Sequence, residues 1–364
     1  MRALVCHAPH DLRLEERPTD HHEDTLGAQE LRVRVAYGGI CGSDLHYFQH
    51  GGFGTVRLKE PMALGHEVSG TIEDVGSAVT GLVVGQRIAI SPSRPCGHCK
   101  FCLDGAPNHC LNMRFYGSAM PFPHIQGAFR EQLVIDAAQA HLIADSLSLS
   151  HAALAEPLSV GLHAINRAGG VFGKQVLVTG CGPIGSLLIA GLRRAGAARI
   201  VAVDIADVPL ACAKKMGADQ TINLATHPDG LAPFATDKGQ FDVMFEASGA
   251  EKALRSGLEV LRPRGVLVSV GLGGDVTLPL NLLVAKEIEL RGTFRFHPEF
   301  AVAVGFLNSS LVDGEAVISH TVAFNNANQA FALAGDKSQA MKVLIDFSSP
   351  QAVEAAESVP ALAA

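Results

Sequence analysis

From about residue 175 onward, short apolar runs alternate with amphipathic segments that have helical spacing. The apolar runs are QVLVT, RIVAVD, FDVMFEAS, GVLVSVG and IELRGTF. Apolar strands that alternate with helices are typical of βαβ units, in which helices cover both faces of a parallel sheet. The pattern therefore predicts an α/β fold that contains a doubly wound parallel sheet.

A glycine-rich turn joins the first of these strands to the helix after it. Gly180, Gly182 and Gly185 form G-x-G-x-x-G, with Pro183 and Ile184 between the second and third glycines. Glycines at these positions let the backbone turn tightly and approach a pyrophosphate, which then lies against the N–H groups at the helix start. The strand before the turn and the helix after it argue against a chance Gly-rich turn. We therefore predict a Rossmann domain that binds a dinucleotide.

Asp204 ends the second predicted strand, nineteen residues after Gly185. A carboxylate at this position accepts hydrogen bonds from the hydroxyls of the adenosine ribose. It would also repel a 2′-phosphate, and the following IADVPL contains no Arg or Lys that could neutralise one. The sequence therefore favours NAD over NADP as the cofactor.

Four of the eight cysteines lie close together in the chain, at Cys96, Cys99, Cys102 and Cys110. They form C-x-x-C-x-x-C, followed by seven residues and the fourth cysteine. Four thiolates enclose a metal tetrahedrally and leave no open position, which is the pattern of a structural zinc. The first three spacings also occur in iron–sulfur proteins, but the long last gap and the β-rich surroundings favour zinc over a cluster or over unliganded thiols.

Charge and hydropathy argue against two classes of partner. The 29 Lys and Arg against 36 Asp and Glu give a net charge of −7, and no run of five or more basic residues occurs, which disfavours a nucleic-acid partner. No stretch approaches the ~18 apolar residues of a membrane span, and the opening MRALVCHAPHD lacks the apolar core of a signal peptide. We expect a cytoplasmic protein without a membrane or nucleic-acid partner, and not a zinc-ribbon nucleic-acid binder.

A sparser group of possible metal ligands lies in three short motifs. Cys41 stands in GGICGSDLHY, His66 and Glu67 stand in GHEVSG, and Glu156 stands in AEPLSVG. In order with the four-cysteine loop and the Rossmann segment, these motifs resemble the zinc-dependent medium-chain dehydrogenases over nearly the whole chain. Within that family the chain is most similar to the polyol dehydrogenases, because Glu156 stands where alcohol dehydrogenases carry a cysteine.

The resemblance implies a second, catalytic zinc with an open coordination position. Cys41 and His66 would bind it together with Glu67 and Glu156, of which one ligates directly while the other holds or exchanges with the water at the metal, and the sequence leaves open which. Ser43 and His46 would carry the substrate proton to solvent by way of the cofactor ribose. The family also seats the nicotinamide carboxamide at Gly271, Leu272 and Gly273, and the residues expected to contact the substrate are Tyr47, Arg114, Phe115 and Arg295.

The resemblance implies two domains and an oligomer. Residues 1–152 and 292–346 would form a GroES-like β-rich catalytic domain, residues 153–291 would form the Rossmann NAD-binding domain, and residues 347–364 would be a frayed tail. The substrate would be a sugar acid or a neutral polyol, and the protein would be a homodimer or a homotetramer. The alternative from a different class is a zinc-stabilised binding protein that has lost its chemistry, against which the complete set of catalytic residues argues.

Overall fold

The structure, a computed structural model, describes residues 1–17 and 26–348. The tail predicted at residues 347–364 lies outside these ranges from residue 349 onward. Within the described ranges, the largest sheets are one mixed sheet and one parallel sheet flanked by helices. The predicted α/β class is therefore confirmed. Across the same ranges, none of the helices has the length and apolar character that a membrane crossing requires.

The first part of the chain consists of short strands connected by long loops. Its strands are β1 Arg2–Ala8, β2 Asp11–Glu16, β3 Glu30–Gly39, β4 Gly52–Phe53, β5 Val56–Arg57, β6 Met62–Ala63, β7 Glu67–Val75, β8 Arg87–Ile90, β9 Ser93–Arg94, β10 Arg114–Phe115, β11 Gln132–Asp136 and β12 Ala140–Leu142. Its helices are α1 Gly42–His50, α2 Lys100–Leu103 and α3 Leu149–Ala152, with 3₁₀ turns at Pro107–His109 and Ala137–Gln139.

The middle of the chain forms the parallel sheet. Its strands are β13 Gln175–Thr179, β14 Arg199–Asp204, β15 Gln220–Asn223, β16 Phe241–Glu246, β17 Leu261–Ser269 and β18 Glu289–Gly292. Its helices are α4 Ala155–Arg167, α5 Pro183–Arg194, α6 Asp207–Lys215, α7 Glu251–Val260 and α8 Leu280–Lys286, with a 3₁₀ segment at Ala232–Lys238. The strand order is β15–β14–β13–β16–β17–β18, so the order reverses between β13 and β16. Ligands of such sheets bind at the carboxyl ends of the strands beside this reversal.

The last described elements return to the mixed sheet. They are α9 Glu299–Asn308, β19 Ile318–Ala323, a 3₁₀ turn at Phe324–Asn326, α10 Ala327–Gly335 and β20 Lys342–Asp346. The mixed sheet has the order β12–β8–β7–β3–β20–β19, with β11 also paired to β3. The last described strand, β20, thus pairs antiparallel with β3, which lies near the start of the chain.

Both faces of the parallel sheet are covered, which explains why its central strands are largely apolar, unlike the edge strands β15 and β18. Val176 and Val178 of β13 belong to a core that includes α4 and α5, whereas Leu177 packs on the other face with Leu254 and Leu258 of α7. Successive residues of a strand point to opposite faces, so a strand buried on both sides has no polar positions in its centre.

From its helical spacing, the segment HAALAEPLSVGLHAINRAG predicts a helix that begins at His151. This prediction is wrong in its start, because α3 ends at Ala152 and α4 begins only at Ala155. Pro157 explains the break. It has no N–H to bond the carbonyl of Ala153, and its ring would clash with that carbonyl in a continuous helix, whereas the first turn of a new helix tolerates proline. The restart places Glu156 in the first turn of α4.

Candidate active site

A cleft of about 330 Å³ lies between the β-rich part of the chain and the parallel sheet. Ala247 follows β16, and Gly271 follows β17, so the cleft adjoins the carboxyl ends of the strands beside the reversal. The predicted site residues that line it are Cys41, Ser43, His46, Tyr47, His66, Phe115, Glu156, Ile184, Gly271, Leu272 and Arg295. A largely apolar cleft with a few convergent polar groups is the usual form of a small-molecule site.

Three predicted metal ligands meet beside this cleft. The ligand atoms of Cys41, His66 and Glu67 all lie within 4.8 Å of one another. Nδ1 of His66 is buried and has no hydrogen-bond partner within the described residues. A thiol, an imidazole and a carboxylate are donors that Zn²⁺ prefers, so this donor set fits the predicted catalytic zinc.

Asp44, which the sequence analysis missed, connects the segments that carry these ligands. It is fully buried in the first turn of α1. Its Oδ2 accepts a hydrogen bond from the backbone N–H of Cys41 at 3.0 Å, and its Oδ1 accepts one from the N–H of Gly65 at 3.0 Å. Oδ1 also lies 3.7 Å from Nδ1 of His66. Asp44 therefore fixes the ligand before α1 against the ligands at the start of β7.

Glu156 faces the cleft but lies outside the three-ligand group. Burial raises the pKa of Glu156 to about 8, with His66 acting against this shift and the charge of Glu67 adding to it. Burial likewise raises the pKa of the Cys41 thiol to about 11. A divalent cation among these groups would oppose both shifts, because it favours the thiolate and the carboxylate. The raised pKa values of Glu156 and Cys41 are thus consistent with a site that holds a cation.

Lys342 is the second residue that the sequence analysis missed. Its Nζ donates to Oε1 and Oε2 of Glu67 at 2.7 and 2.6 Å and to the carbonyl of Ile40 at 3.0 Å. Lys342 and Glu67 are both almost completely buried. The only sequence signal is a lysine beside the apolar run VLI in a strand. Because both charges are removed from water, the pair holds Glu67 in one orientation next to Cys41 and His66.

The four clustered cysteines form a second group. The sulfurs of Cys96, Cys99, Cys102 and Cys110 all lie within 4.8 Å of one another. Backbone N–H groups of His98 and Cys99 donate to the Cys96 sulfur and lower the pKa of that thiol to about 6. The N–H groups of Cys96 and Asn112 donate to the Cys110 sulfur at 3.1 and 3.3 Å. Four converging sulfurs with N–H···S bonds fit a closed, structural zinc site.

The glycine-rich turn has the form that a pyrophosphate requires. Gly180 has a φ of +85°, and a Cβ at Gly185 would collide with its carbonyl oxygen. Gly182 is the N-cap of α5, with Pro183 in the first helical position and Ile184 next to it. A Cβ at Gly182 would meet no atom within 4 Å. The turn therefore leaves open space in front of the N–H groups at the start of α5, which fits the predicted dinucleotide.

Asp204 lies at the end of β14 and is tied to this turn. Its Oδ2 accepts the N–H of Cys181 at 2.7 Å, and its Oδ1 accepts the N–H groups of Ile205 and Ala206 at 2.7 and 3.1 Å. A carboxylate has about four acceptor sites, so it retains capacity for a ribose hydroxyl.

The turn after β17 packs closely on a neighbouring glycine. A Cβ at Gly271 would collide with the backbone N of Gly249, and one at Gly273 would collide with the carbonyl oxygen of Gly249. Leu272 between them is exposed and lines the cleft. The turn thus presents its backbone and Leu272 to the place where a nicotinamide is expected.

The predicted substrate residues separate into two groups. Tyr47, Phe115 and Arg295 line the cleft, whereas Arg114 is exposed on β10 and does not. The guanidinium of Arg295 lies 4.2 Å from the ring centroid of Phe115. Burial lowers the pKa of Arg295 to about 10. Within the described residues, Arg295 forms no ion pair with a carboxylate, and Glu156 is the carboxylate of the cleft that acts on its charge from a longer distance. A partly buried positive charge thus faces the cleft without a directly paired counterion.

The family of the chain follows from two matches. Residues 27–145 match the family model of the alcohol dehydrogenase GroES-like domain, and residues 183–309 match that of the zinc-binding dehydrogenase. The chain therefore belongs to the zinc-binding alcohol dehydrogenases, and the predicted combination of a GroES-like and a Rossmann domain is confirmed. It is accordingly a dehydrogenase of the alcohol and polyol class that acts on a small molecule.

Individual relatives lie within the same family. The chain is 43% identical to L-idonate 5-dehydrogenase (NAD(P)(+)) of Escherichia coli over 316 residues, which cover 86% of this chain and 91% of that protein. A crystal structure of the E. coli L-idonate 5-dehydrogenase has a TM-score of 0.90 at 39% identity and covers 95% of this chain and 97% of its own. Human sorbitol dehydrogenase is 36% identical over 335 residues, which cover 90% of this chain and 91% of that protein.

Proposed function

We propose that the protein is a zinc- and NAD-dependent dehydrogenase that oxidises the secondary alcohol at carbon 5 of L-idonate to 5-ketogluconate. The observation that carries the proposal is the partly buried guanidinium of Arg295, which lines the cleft and has no directly paired counterion among the described residues. A substrate carboxylate would supply that counterion, and the planar fork of arginine donates two parallel hydrogen bonds to it. The similarity to the E. coli L-idonate 5-dehydrogenase supports the same substrate.

Cys41, His66 and Glu67 would hold the catalytic zinc, because their ligand atoms are grouped and that of Glu156 is not. When bound, zinc acts as a Lewis acid that lowers the pKa of the substrate hydroxyl. Asp44 and Lys342 keep these side chains in place through their hydrogen bonds. Glu156 faces the substrate side of the group. The other zinc would be structural, in the four-cysteine loop.

Ser43 and His46 would conduct the proton of the alcohol out of the cleft, which both residues line. Burial lowers the pKa of His46, and the charges of His50 and Lys337 add to this effect. Its imidazole is therefore neutral at pH 7 and can accept a proton. NAD supplies the hydride acceptor.

The cofactor would be held by residues of the Rossmann part. The start of α5 would bind its pyrophosphate and Asp204 its adenosine ribose. Gly271, Leu272 and Gly273 would seat the carboxamide. NAD is proposed over NADP because the Asp204 carboxylate would repel a 2′-phosphate.

The second candidate function is oxidation of a neutral polyol, which the similarity to human sorbitol dehydrogenase favours. A catalytically inactive, zinc-stabilised binding protein is the remaining alternative. We also propose that the protein is a cytoplasmic homodimer or homotetramer, which light scattering of the purified protein and fractionation of the source cells would test.

A substrate panel tests the proposed function. Purified protein would be assayed with L-idonate, D-gluconate, sorbitol, xylitol and threonine, each with NAD and with NADP, by the absorbance of the reduced cofactor. The expected result is the highest kcat/KM for L-idonate with NAD. Turnover of sorbitol or xylitol without turnover of an aldonate would establish the second candidate, and no turnover of any alcohol would favour the inactive protein.

A further inference from the structure

The surroundings of Arg295 have to hold it in position. Its φ is +54°, in the left-handed region that a residue with a side chain adopts only at an energetic cost. Its guanidinium contacts the rings of Phe115 and Phe294, and its Nη2 lies 3.4 Å from Ser118 Oγ and from Met120 Sδ. These contacts orient the guanidinium, but its distance from the metal-ligand group also depends on the backbone that carries it.

Glu299 ties this backbone to α4 on one side. Its side chain is almost completely buried at the start of α9, four residues after Arg295. Its Oε2 accepts the backbone N–H of His297 at 3.1 Å. Its Oε1 accepts a hydrogen bond from Nδ2 of Asn166 at 2.9 Å and lies 3.0 Å from Nδ1 of His163. Burial acts to raise the pKa of Glu299, but these hydrogen bonds outweigh it and lower the pKa to about 2.

The residues before Arg295 are also hydrogen-bonded to α4. Nε of Arg167 donates to the carbonyl of Gly292 at 3.0 Å, and Nη1 of Arg291 donates to the carbonyl of Arg167 at 2.9 Å. Residues 293–298 therefore bridge two anchor points on the C-terminal turns of α4. Because α4 begins beside the metal ligands with Glu156, one helix sets the position of the Arg295 segment relative to the reacting end of the cleft.

We propose that Glu299 is a positioning residue that holds Arg295 at the distance from the metal-ligand group that suits an aldonate carboxylate. The inference rests on the proposed function, because it assigns to Arg295 the carboxylate of the substrate. Glu299 itself does not line the cleft and acts only through the segment that it clamps.

A double-mutant cycle tests the inference. Glu299→Leu should raise the KM for L-idonate by roughly tenfold, the loss expected when one charge-assisted hydrogen bond is misplaced, with a smaller change in kcat. Activity on sorbitol should change far less. Glu299→Gln, which retains one accepting oxygen, should recover part of the loss. The KM of the Arg295→Met/Glu299→Leu double variant for L-idonate should be no higher than that of Arg295→Met alone, because Glu299 has no guanidinium left to position.

Asn308→Leu is the matched control for a general loosening of α9. Asn308 anchors the other end of that helix, since its Oδ1 accepts the N–H of Ala144 at 2.8 Å and its Nδ2 donates to the carbonyl of Leu142. This variant should leave the preference for L-idonate over sorbitol unchanged. Additive losses in the cycle, or equal losses on both substrates, would overturn the proposal.

Hydrogen exchange supplies a readout that does not depend on the substrate. The amides of residues 292–298 should exchange faster in Glu299→Leu than in the unmodified protein and in Asn308→Leu. Unchanged amide exchange of residues 292–298 in Glu299→Leu would overturn the proposal that Glu299 holds this segment. If the unmodified protein oxidises only neutral polyols, the proposed function fails, and the exchange result still decides whether Glu299 holds the segment.

Discussion

Replacing Arg295 by methionine removes a partly buried positive charge from the cleft and keeps an unbranched side chain of similar length. The lost interaction with a substrate carboxylate is a charge-assisted hydrogen bond, which contributes roughly 1.5–3 kcal/mol. At about 1.4 kcal/mol for each factor of ten, kcat/KM for L-idonate should fall roughly ten- to over a hundred-fold. Arg295→Lys retains the charge but not the planar fork and should give an intermediate loss.

The assay compares kcat/KM for L-idonate and for sorbitol in each variant. Loss of the contact between the guanidinium and the Phe115 ring affects both substrates, so the ratio of the two values isolates the carboxylate. Arg114→Met is the control, because Arg114 is exposed and does not line the cleft. An equal loss on both substrates in Arg295→Met would refute the reasoning and make Arg295 a structural or cofactor-seating residue.

Three further predictions concern the cofactor, the metals and the buried ion pair. Asp204→Ala should raise the Kd for NAD and relax discrimination against NADP, measured by fluorescence titration, and a preference of the unmodified protein for NADP would contradict this. Metal analysis should find two zinc ions per chain. Cys96→Ser should lower the Tm, while Cys41→Ser should abolish turnover with a smaller change in Tm. A single zinc ion per chain, together with an unchanged Tm in Cys96→Ser, would contradict this prediction. Lys342→Met should lower the free energy of unfolding of the metal-free protein in urea by roughly 3–5 kcal/mol, because without zinc it leaves the buried charge of Glu67 unpaired, and a change below about 1 kcal/mol would contradict this.

The parts of the site that could be predicted from the residues alone are those formed by residues close together in the sequence. The Gly180 turn and the four-cysteine loop are local motifs whose spacing alone determines what the backbone or the sulfurs can do. The ligand group at Cys41 and His66 needed the resemblance to a family, because its members are far apart in the chain and each is unremarkable alone.

The remaining features depend on contacts that no local pattern contains. Lys342 becomes a partner of Glu67 only through the pairing of β20 with β3. Two arginines in similar aromatic segments could not be told apart by sequence, and the fold turns Arg295 into the cleft and Arg114 to the surface. The break before α4 was missed because helical spacing outweighed the single Pro157 in the pattern.

The pairing of β20 with β3 also determines the order in which the protein can be completed during synthesis. Cys41, His66 and Glu67 leave the ribosome early, but Lys342 follows only after the whole parallel sheet has been made. Domains fold largely in the order in which they are synthesised, so the parallel sheet can form while the mixed sheet still lacks its last strands. The group of proposed metal ligands therefore reaches its final charge balance last. A nascent chain stalled before residue 342 would carry Glu67 without its buried lysine partner.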